Sequence, residues 1–436
     1  MTFSRDTFIL GAGVTGLAAA AKTGATVFEA KSVPGGICSS YYMTQDSMKR
    51  LYHQDSNRLA YRFEMGGGHW IFGADKQILQ FLKKFTHIKE YTRHSSVYFN
   101  KENRYVPYPI QNNLRFLDRG LSKKILKEIL ESPKVPFLTQ KQYLLKSFGP
   151  ILCELFFFPF NSLYTADLYE DIAAQESYKT PMDTSLVIQG ANKEVPLAGY
   201  NVKFLYPQQG LDILIKNMAE SCDIQYKKKV SGIDVKAKKI YFEDGSIQTY
   251  NRLISTLPLN KMVEMASLKI EGEPPPYTSV LVLNIGATCG NNCPNEHWLY
   301  THDNKCGFHR VGFYSNVDTS FLPESSQETS NRVSIYVERA YRGGEKPTEE
   351  TVKSYVRSVV EELSKWEFIK DVEVVDYNWI EVAYTWLWPD SIWRENALQK
   401  LEKHNIQQLG RYGRWKFQGI ADSLKEGLLC TNRLCQ

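Results

Sequence analysis

The 436-residue sequence contains no run of about 18 apolar residues, the length that a membrane-spanning helix needs, so no membrane span is expected. Its greasiest stretch, Leu155 to Phe160, is short and follows the charged Glu154. Only a few mostly polar residues, Met1 to Asp6, precede the first apolar strand. That leaves no room for a secretory signal, and a cytoplasmic location is expected. Paired cysteine spacing is also lacking. Cys289 and Cys293 are near neighbours with His297 a little further on, and this reads as a loop in a reducing cytosol rather than a metal site. No charge of one sign dominates: 53 basic residues face 48 acidic ones, for a net charge of +5. The densest basic stretch, Lys227 to Lys229, is a solvated strand end, so nucleic acid is excluded as a partner. There is no internal repeat and no low-complexity linker. What remains is the make-up of an ordinary folded chain, 43% hydrophobic and 23% charged, at a length that calls for two or three structural units.

The first forty residues carry the strongest pattern. Thr7 to Leu10 is a short apolar strand that runs into Gly11-Ala12-Gly13-Val14-Thr15-Gly16. Leu17 to Ala21 reads as a helix of strong helix formers. Ala25 to Phe28 makes a second strand that ends in Glu29. Strand, glycine turn, helix, strand and terminal acid together form the dinucleotide-binding fingerprint. Gly11 permits the tight turn, Gly13 lets backbone approach a pyrophosphate, and Gly16 lets the helix pack on the strand. The helix N-terminus presents N–H groups and a partial positive charge to the phosphates, and Glu29 accepts hydrogen bonds from ribose hydroxyls. The bland alternative is a glycine-rich turn that merely packs a helix on a sheet. The continuation Ala30-Lys31-Ser32-Val33-Pro34-Gly35-Gly36 resembles the extension of glutathione-reductase-like and amine-oxidase-like flavoproteins, which implies FAD rather than NAD.

Further on, Gly66-Gly67-Gly68 precedes His69 and Trp70. Three consecutive glycines cost conformational entropy and make sense where backbone lies flat against a ligand such as a flavin ring. His69 then faces that ring, or else fills a core position. Residues 114–190 are helical in pattern, with Phe156, Phe157, Phe158 and Phe160 as an aromatic knot. Short strands are expected at Val230 to Val235, Lys239 to Phe242 and Ile247 to Tyr250, with Asp244-Gly245 as the turn between the last two. Long strands are expected at Ser279 to Ala287, Arg332 to Ala340 and Asp371 to Ala383, with an amphipathic helix, Val352 to Leu363, capped by Thr348. The expected fold is therefore α/β. A discontinuous FAD-binding Rossmann-like domain is built from 1–92, 191–273 and 391–436. It carries a mainly helical insertion, 108–190, and an antiparallel β-sheet substrate domain, 93–107 and 274–390.

Several motifs resemble, in order, those of the flavin-dependent UDP-galactopyranose mutase family, with spacing closer to its eukaryotic-type members. They are Pro107-Tyr108-Pro109-Ile110-Gln111-Asn112-Asn113, Gly199-Tyr200-Asn201-Val202-Lys203-Phe204, Phe308-His309-Arg310 with Ser315-Asn316, Ala383-Tyr384, and Gly410-Arg411-Tyr412-Gly413. The resemblance implies a reduced FAD whose N5 attacks the anomeric carbon of a nucleotide-activated sugar, after which the sugar ring opens and recloses through a different hydroxyl. It implies roles residue by residue. Gly68 offers its carbonyl to the reduced flavin, His69 holds the flavin environment, and Arg310 binds the diphosphate, all three counted as catalytic. Gly35, Gly36, Gly66, Gly67, Val230, Gly410 and Arg411 join Gly11, Gly13, Gly16 and Glu29 in holding FAD. Tyr108, Gln111, Asn201 and Tyr384 contact the nucleotide sugar together with Arg310. NADPH or NADH is the candidate electron donor, although no second dinucleotide fingerprint is present. No oligomeric state is implied.

Two positions depart from the family pattern. Phe158 stands where the family has a loop arginine, and Phe417 stands where it has a tyrosine at the pyrophosphate. Neither phenylalanine can hydrogen-bond a phosphate, so Arg93, Arg104 and Lys203 are candidate replacements. Two other readings share the N-terminal motif: an FAD-dependent oxidase or desaturase of the amine-oxidase-like class, and a non-catalytic flavoprotein.

Overall fold

The computed structural model describes residues 6–47, 49–53, 59–132, 136–175, 182–199, 201–329 and 331–430. Tyr200, part of one motif above, lies outside them.

The strand Thr7–Leu10 is buried along its whole length and lies at the centre of a five-stranded parallel sheet. Its neighbours are Thr26–Phe28 on one side and Arg252–Ser255 on the other, with Ile224–Gln225 and Ile406–Gln408 at the edges. Such strands are apolar on both faces because helices cover both faces of a parallel sheet. The crossover between the first two strands is the helix Val14–Thr23, whose residues Val14 to Ala20 are all buried. Gly24 ends it in the left-handed conformation, φ 71°. The turn ahead of it requires Gly11, whose φ is +95°.

The short strands Val230–Asp234, Lys239–Phe242 and Ile247–Thr249 form an antiparallel sheet, with Gly245 at φ +81° in the expected turn. The long strands Tyr277–Cys289, Arg332–Arg342 and Ile369–Thr385 belong to a seven-stranded sheet completed by Arg310–Phe313, Trp298–Thr301, Ser95–Phe99 and Arg104–Pro107. The sequence predicted this sheet to be antiparallel. It is mixed, because Trp298–Thr301 pairs with Ser95–Phe99 in parallel. The hairpin that supplies Ser95–Phe99 comes from far earlier in the chain, so no tight turn dictates direction at that seam. The helix Glu349–Lys365 is capped by Thr348, whose hydroxyl accepts the Thr351 N–H at 3.2 Å. It buries Val352, Tyr355, Val359 and Leu363 at helical spacing against the sheet.

Packed on the Ser95–Phe99 and Arg104–Pro107 edge of the mixed sheet are the helices Arg119–Glu131, Gln140–Leu152, Phe158–Thr165 and Thr184–Gly190. Gln140–Thr165 forms one helical run, long and apolar enough by length and composition to cross a membrane. No run of consecutive apolar residues announced it, since Gln140, Lys141, Gln142 and Lys146 interrupt the pattern. It is not a straight rod. Gly149, at φ +74°, breaks it ahead of Pro150, and Phe148, Leu152, Phe156 and Phe157 are buried in the helical core. Phe148 and Phe157 stack with centroids 4.2 Å apart.

Gly16 faces the carbonyl of Gly11, and a Cβ there would sit 1.9 Å from that oxygen. Gly16→Ala is therefore expected to destabilise the fold by about 1–3 kcal/mol, the usual cost of overpacking, and to lower flavin content. Thermal denaturation and the flavin-to-protein absorbance ratio of the purified variant measure both effects. Unchanged values would refute the packing role.

Candidate active site

One cavity of about 1320 Å³ runs between the parallel sheet, the mixed sheet and the helices. It exceeds the roughly 300–1,000 Å³ of a typical small-ligand pocket, so it has room for a dinucleotide and a second ligand. Gly11, Gly13, Val14 and Thr15 line it, as do Glu29, Gly35, Gly36 and Val230. The helix Val14–Thr23 begins at Gly13 with no side-chain cap, and a Cβ on Gly13 would meet nothing within 4 Å. Backbone amides and open space therefore face the cavity together, an arrangement that suits a pyrophosphate. Glu29 is buried and accepts the N–H groups of Ala12 at 2.8 Å and Lys31 at 2.9 Å. These bonds fix its carboxylate at the cavity wall. The residues present thus fit a dinucleotide cofactor. Gly16 does not reach the cavity and serves packing alone.

The glycine run is gripped from the protein side. A Cβ on Gly67 would lie 2.7 Å from Glu338 Oε1, and one on Gly68 would lie 2.2 Å from the Tyr336 hydroxyl. A Cβ on Gly66 would strike the His69 ring. Gly66, Gly68 and His69 line the cavity, whereas Gly67, at φ +79°, turns away from it. The His69 Nδ1 is 3.3 Å from the Gly67 carbonyl. Burial lowers the pKa of this imidazole to about 4, so it is neutral at pH 7.

Arg310 lines the cavity and is paired to Glu338, directly opposite it across neighbouring strands. Its Nε donates to Oε2 at 2.9 Å and its Nη2 to Oε1 at 2.7 Å, a two-pronged pair. Burial pushes the Glu338 carboxyl up, but Arg310 and His309 outweigh it and hold the pKa at about 2. Tyr384 lies on the same wall. Arg411 lies 5.1 Å from its ring centroid and 4.8 Å from that of Phe417. Tyr384 meets Tyr164 at 4.8 Å, the neighbouring Phe160 meets Tyr300 at 5.5 Å, and Tyr300 meets Tyr108 at 4.7 Å. A continuous aromatic wall thus joins the C-terminal glycine segment to Tyr108. Asn201 completes this end, held by Arg93, which also donates to the Tyr108 carbonyl at 2.9 Å.

Several expected residues lie elsewhere. Gln111 is fully buried in the short turn Ile110–Asn112 and does not line the cavity. Phe158 points toward Tyr169, with ring centroids 5.7 Å apart, so the family's loop-arginine position is outside the cavity wall. None of the proposed replacements lines the cavity. Arg104 is exposed on an edge strand, Lys203 pairs with Glu90 at 2.6 Å on the surface, and Arg93 stands behind Asn201. Among the described residues no group of three His, Cys, Asp or Glu side chains is arranged to hold a metal ion. His297 stacks on His94 at 5.2 Å. The sequence reading missed Glu338, Tyr336, His309 and Tyr164. A charged residue in the apolar strand Arg332–Arg342 was the signal that could have found Glu338.

The profile of the flavin containing amine oxidoreductase family matches residues 14–388. The chain belongs to that family. FAD is the cofactor its cradle is built for. Among solved structures, reduced UDP-galactopyranose mutase is similar with a TM-score of 0.82 at 23% identity, covering 98% of this chain and 93% of that one. A CLA-producing fatty acid isomerase from P. acnes gives 0.59 at 13% identity, with 98% of both chains covered. Putrescine oxidase bound to putrescine gives 0.55 at 15%, also with 98% of both chains covered. At these identities the likeness shows a common fold.

Glu338→Gln removes the charge that compensates a largely buried guanidinium. The expected loss of stability is near the low end of about 3–5 kcal/mol, measured by urea unfolding at pH 7. The pKa of Glu338 is depressed in the folded state. Its contribution is therefore present above the ordinary carboxylate range and drains as pH falls from about 4 toward about 2. The gap between wild type and variant should narrow over that window. A constant gap would show that the charge is not what matters.

Proposed function

We propose that this flavoprotein is a mutase that interconverts the pyranose and furanose forms of a nucleotide-activated, UDP-galactose-like sugar. The observation that carries the reading is the convergence of Arg310, Tyr384, Tyr108 and Asn201 on the same cavity as the glycine run. When bound and reduced, the flavin supplies a nucleophile for the anomeric carbon of the sugar. Neutral His69 keeps charge away from the flavin edge and, through its contact with the Gly67 carbonyl, fixes the Gly66–Gly68 backbone. Arg310 orients the diphosphate. Glu338 already holds Nε and Nη2, so an anion that binds at Arg310 competes with this carboxylate for the guanidinium. The Tyr384 hydroxyl donates to the same diphosphate, and Tyr108 and Asn201 hold the nucleotide. The aromatic wall excludes water while the sugar ring is open. NADPH or NADH is the proposed source of electrons. In this reading the protein serves the synthesis of cell-surface polysaccharide in the cytoplasm.

The family assignment favours a second reading, an oxidase or desaturase. A cationic amine would meet Arg310 and Arg411 in the same lining, two like charges that disfavour it. A hydrocarbon substrate would leave Arg310, Asn201 and Arg411 in the cavity lining against an apolar ligand, a poor exchange for polar groups.

The FAD-loaded protein, reduced anaerobically with dithionite, is expected to convert UDP-galactofuranose to the pyranose. The oxidised protein should not. Chromatography of the nucleotide sugars reads both. Failure across a panel of nucleotide sugars, by a protein that holds reduced FAD, would replace this reading with the redox one. In an active protein, Arg310→Ala loses a charged contact worth about 1.5–3 kcal/mol, so kcat/KM should fall by about 10- to 100-fold. An undiminished kcat/KM would remove Arg310 from the ligand site.

A further inference from the structure

His309 is 2% exposed, sits in the cavity wall beside Arg310, and makes no hydrogen bond through either ring nitrogen. Its ring packs edge-on against Phe160 and Tyr164, at 6.2 and 5.3 Å. Its Nε2 is 3.4 Å from Glu338 Oε2, an ion-pair distance outside hydrogen-bond geometry. That contact becomes an ion pair only when the ring is protonated. Burial lowers the affinity of the ring for a proton, and the charge of Arg310 works the same way against the pull of Glu338. In the free protein Glu338 therefore has Arg310 as its charged partner and a neutral His309 in reserve.

The groups facing this pair come from every element around it. They are Arg310 and Tyr300 on successive strands, Tyr384 on the strand beyond Tyr277–Cys289, Tyr336 on the strand of Glu338, Tyr164 on a helix, and His69 beyond the glycine run. Arg310 is the one permanent cation among them. An anion that pairs with Arg310 weakens its hold on Glu338 and sets a second negative group near a carboxylate that is 2% exposed. A buried carboxylate tolerates this only with a new partner. A proton on His309 supplies that partner without any rearrangement of the backbone.

We propose that binding of a nucleoside diphosphate at Arg310 is coupled to uptake of one proton by His309, which takes over from Arg310 as the ion-pair partner of Glu338. The proposal rests on the nucleotide-sugar reading above. The proton comes from solvent, and the N–H bond on the ring is the only covalent change. His309 acts through Glu338 and is a positioning residue. The ring binds its proton more tightly in the complex than in the free protein. Ligand affinity is therefore greatest at low pH and falls as pH rises, by at most about tenfold per pH unit.

UDP is titrated calorimetrically into the oxidised, FAD-loaded protein in Tris and in HEPES, whose ionisation enthalpies differ. Wild type is expected to take up close to one proton per UDP at pH 7, and to bind UDP several-fold more weakly at pH 8. His309→Gln keeps a buried amide but holds no proton, so it should bind UDP with no uptake and a flat pH profile. His309→Asn is the second variant, and flavin content reports whether each one folds. If neither folds, the buffer dependence of wild type decides alone. Binding by wild type without proton uptake, or uptake that persists in His309→Gln, overturns the coupling and leaves the nucleotide-sugar reading standing. Absence of UDP binding by wild type overturns both.

Discussion

The close approach of backbone at Gly66–Gly68 to the strand Arg332–Arg342 is the constraint on which the site depends. Tyr336 and Glu338 project from that strand into the space where side chains at Gly67 and Gly68 would otherwise be. Because the glycines give way, Glu338 can sit beneath the cavity floor and hold Arg310 in one orientation. The glycine run is thus shared by two neighbours. Gly66 and Gly68 line the cavity, and the missing side chains of Gly67 and Gly68 leave room for the mixed sheet. A single added methyl group would disturb both at once, which explains a cost in backbone entropy that an ordinary loop would not sustain.

Electrostatically the cavity is economical. Its most prominent cation, Arg310, is balanced by a carboxylate that is itself out of water. Around it the wall is aromatic from Arg411 round to Tyr108. The departures at Phe158 and Phe417 fit this pattern. One lies outside the wall, and the other extends it.

Local signals made the cofactor half legible in the sequence. Gly11, Gly13, Gly16 and Glu29 fall within one strand–helix–strand unit, so spacing alone places them. The long strands were legible from their apolar runs, and the helix Glu349–Lys365 from its cap and its period. The rest of the cavity was less so, because it is made by pairing across distance. Glu338 meets Arg310 only through the register of two strands, and Tyr164 reaches Tyr384 from a helix far away in the chain. Motif order put Gln111 beside Tyr108, but a tight turn directs it into the core. The parallel seam at Ser95–Phe99 was invisible for the same reason, since nothing local records which distant edge a hairpin will join.

The parallel sheet gathers its strands from both ends of the chain. Its last strand, Ile406–Gln408, and the helix Ile420–Leu428, whose Gly427 nestles against Thr15 and Ala18, close over the first helix. On the ribosome, the opening fingerprint therefore emerges long before the segments that bury it. Until then the Val14–Thr23 helix has an apolar face that its later partner does not yet cover. The cavity wall is likewise shared between Gly11–Thr15 and Ile420–Ser423, so the cradle closes only when segments about four hundred residues apart in sequence have met.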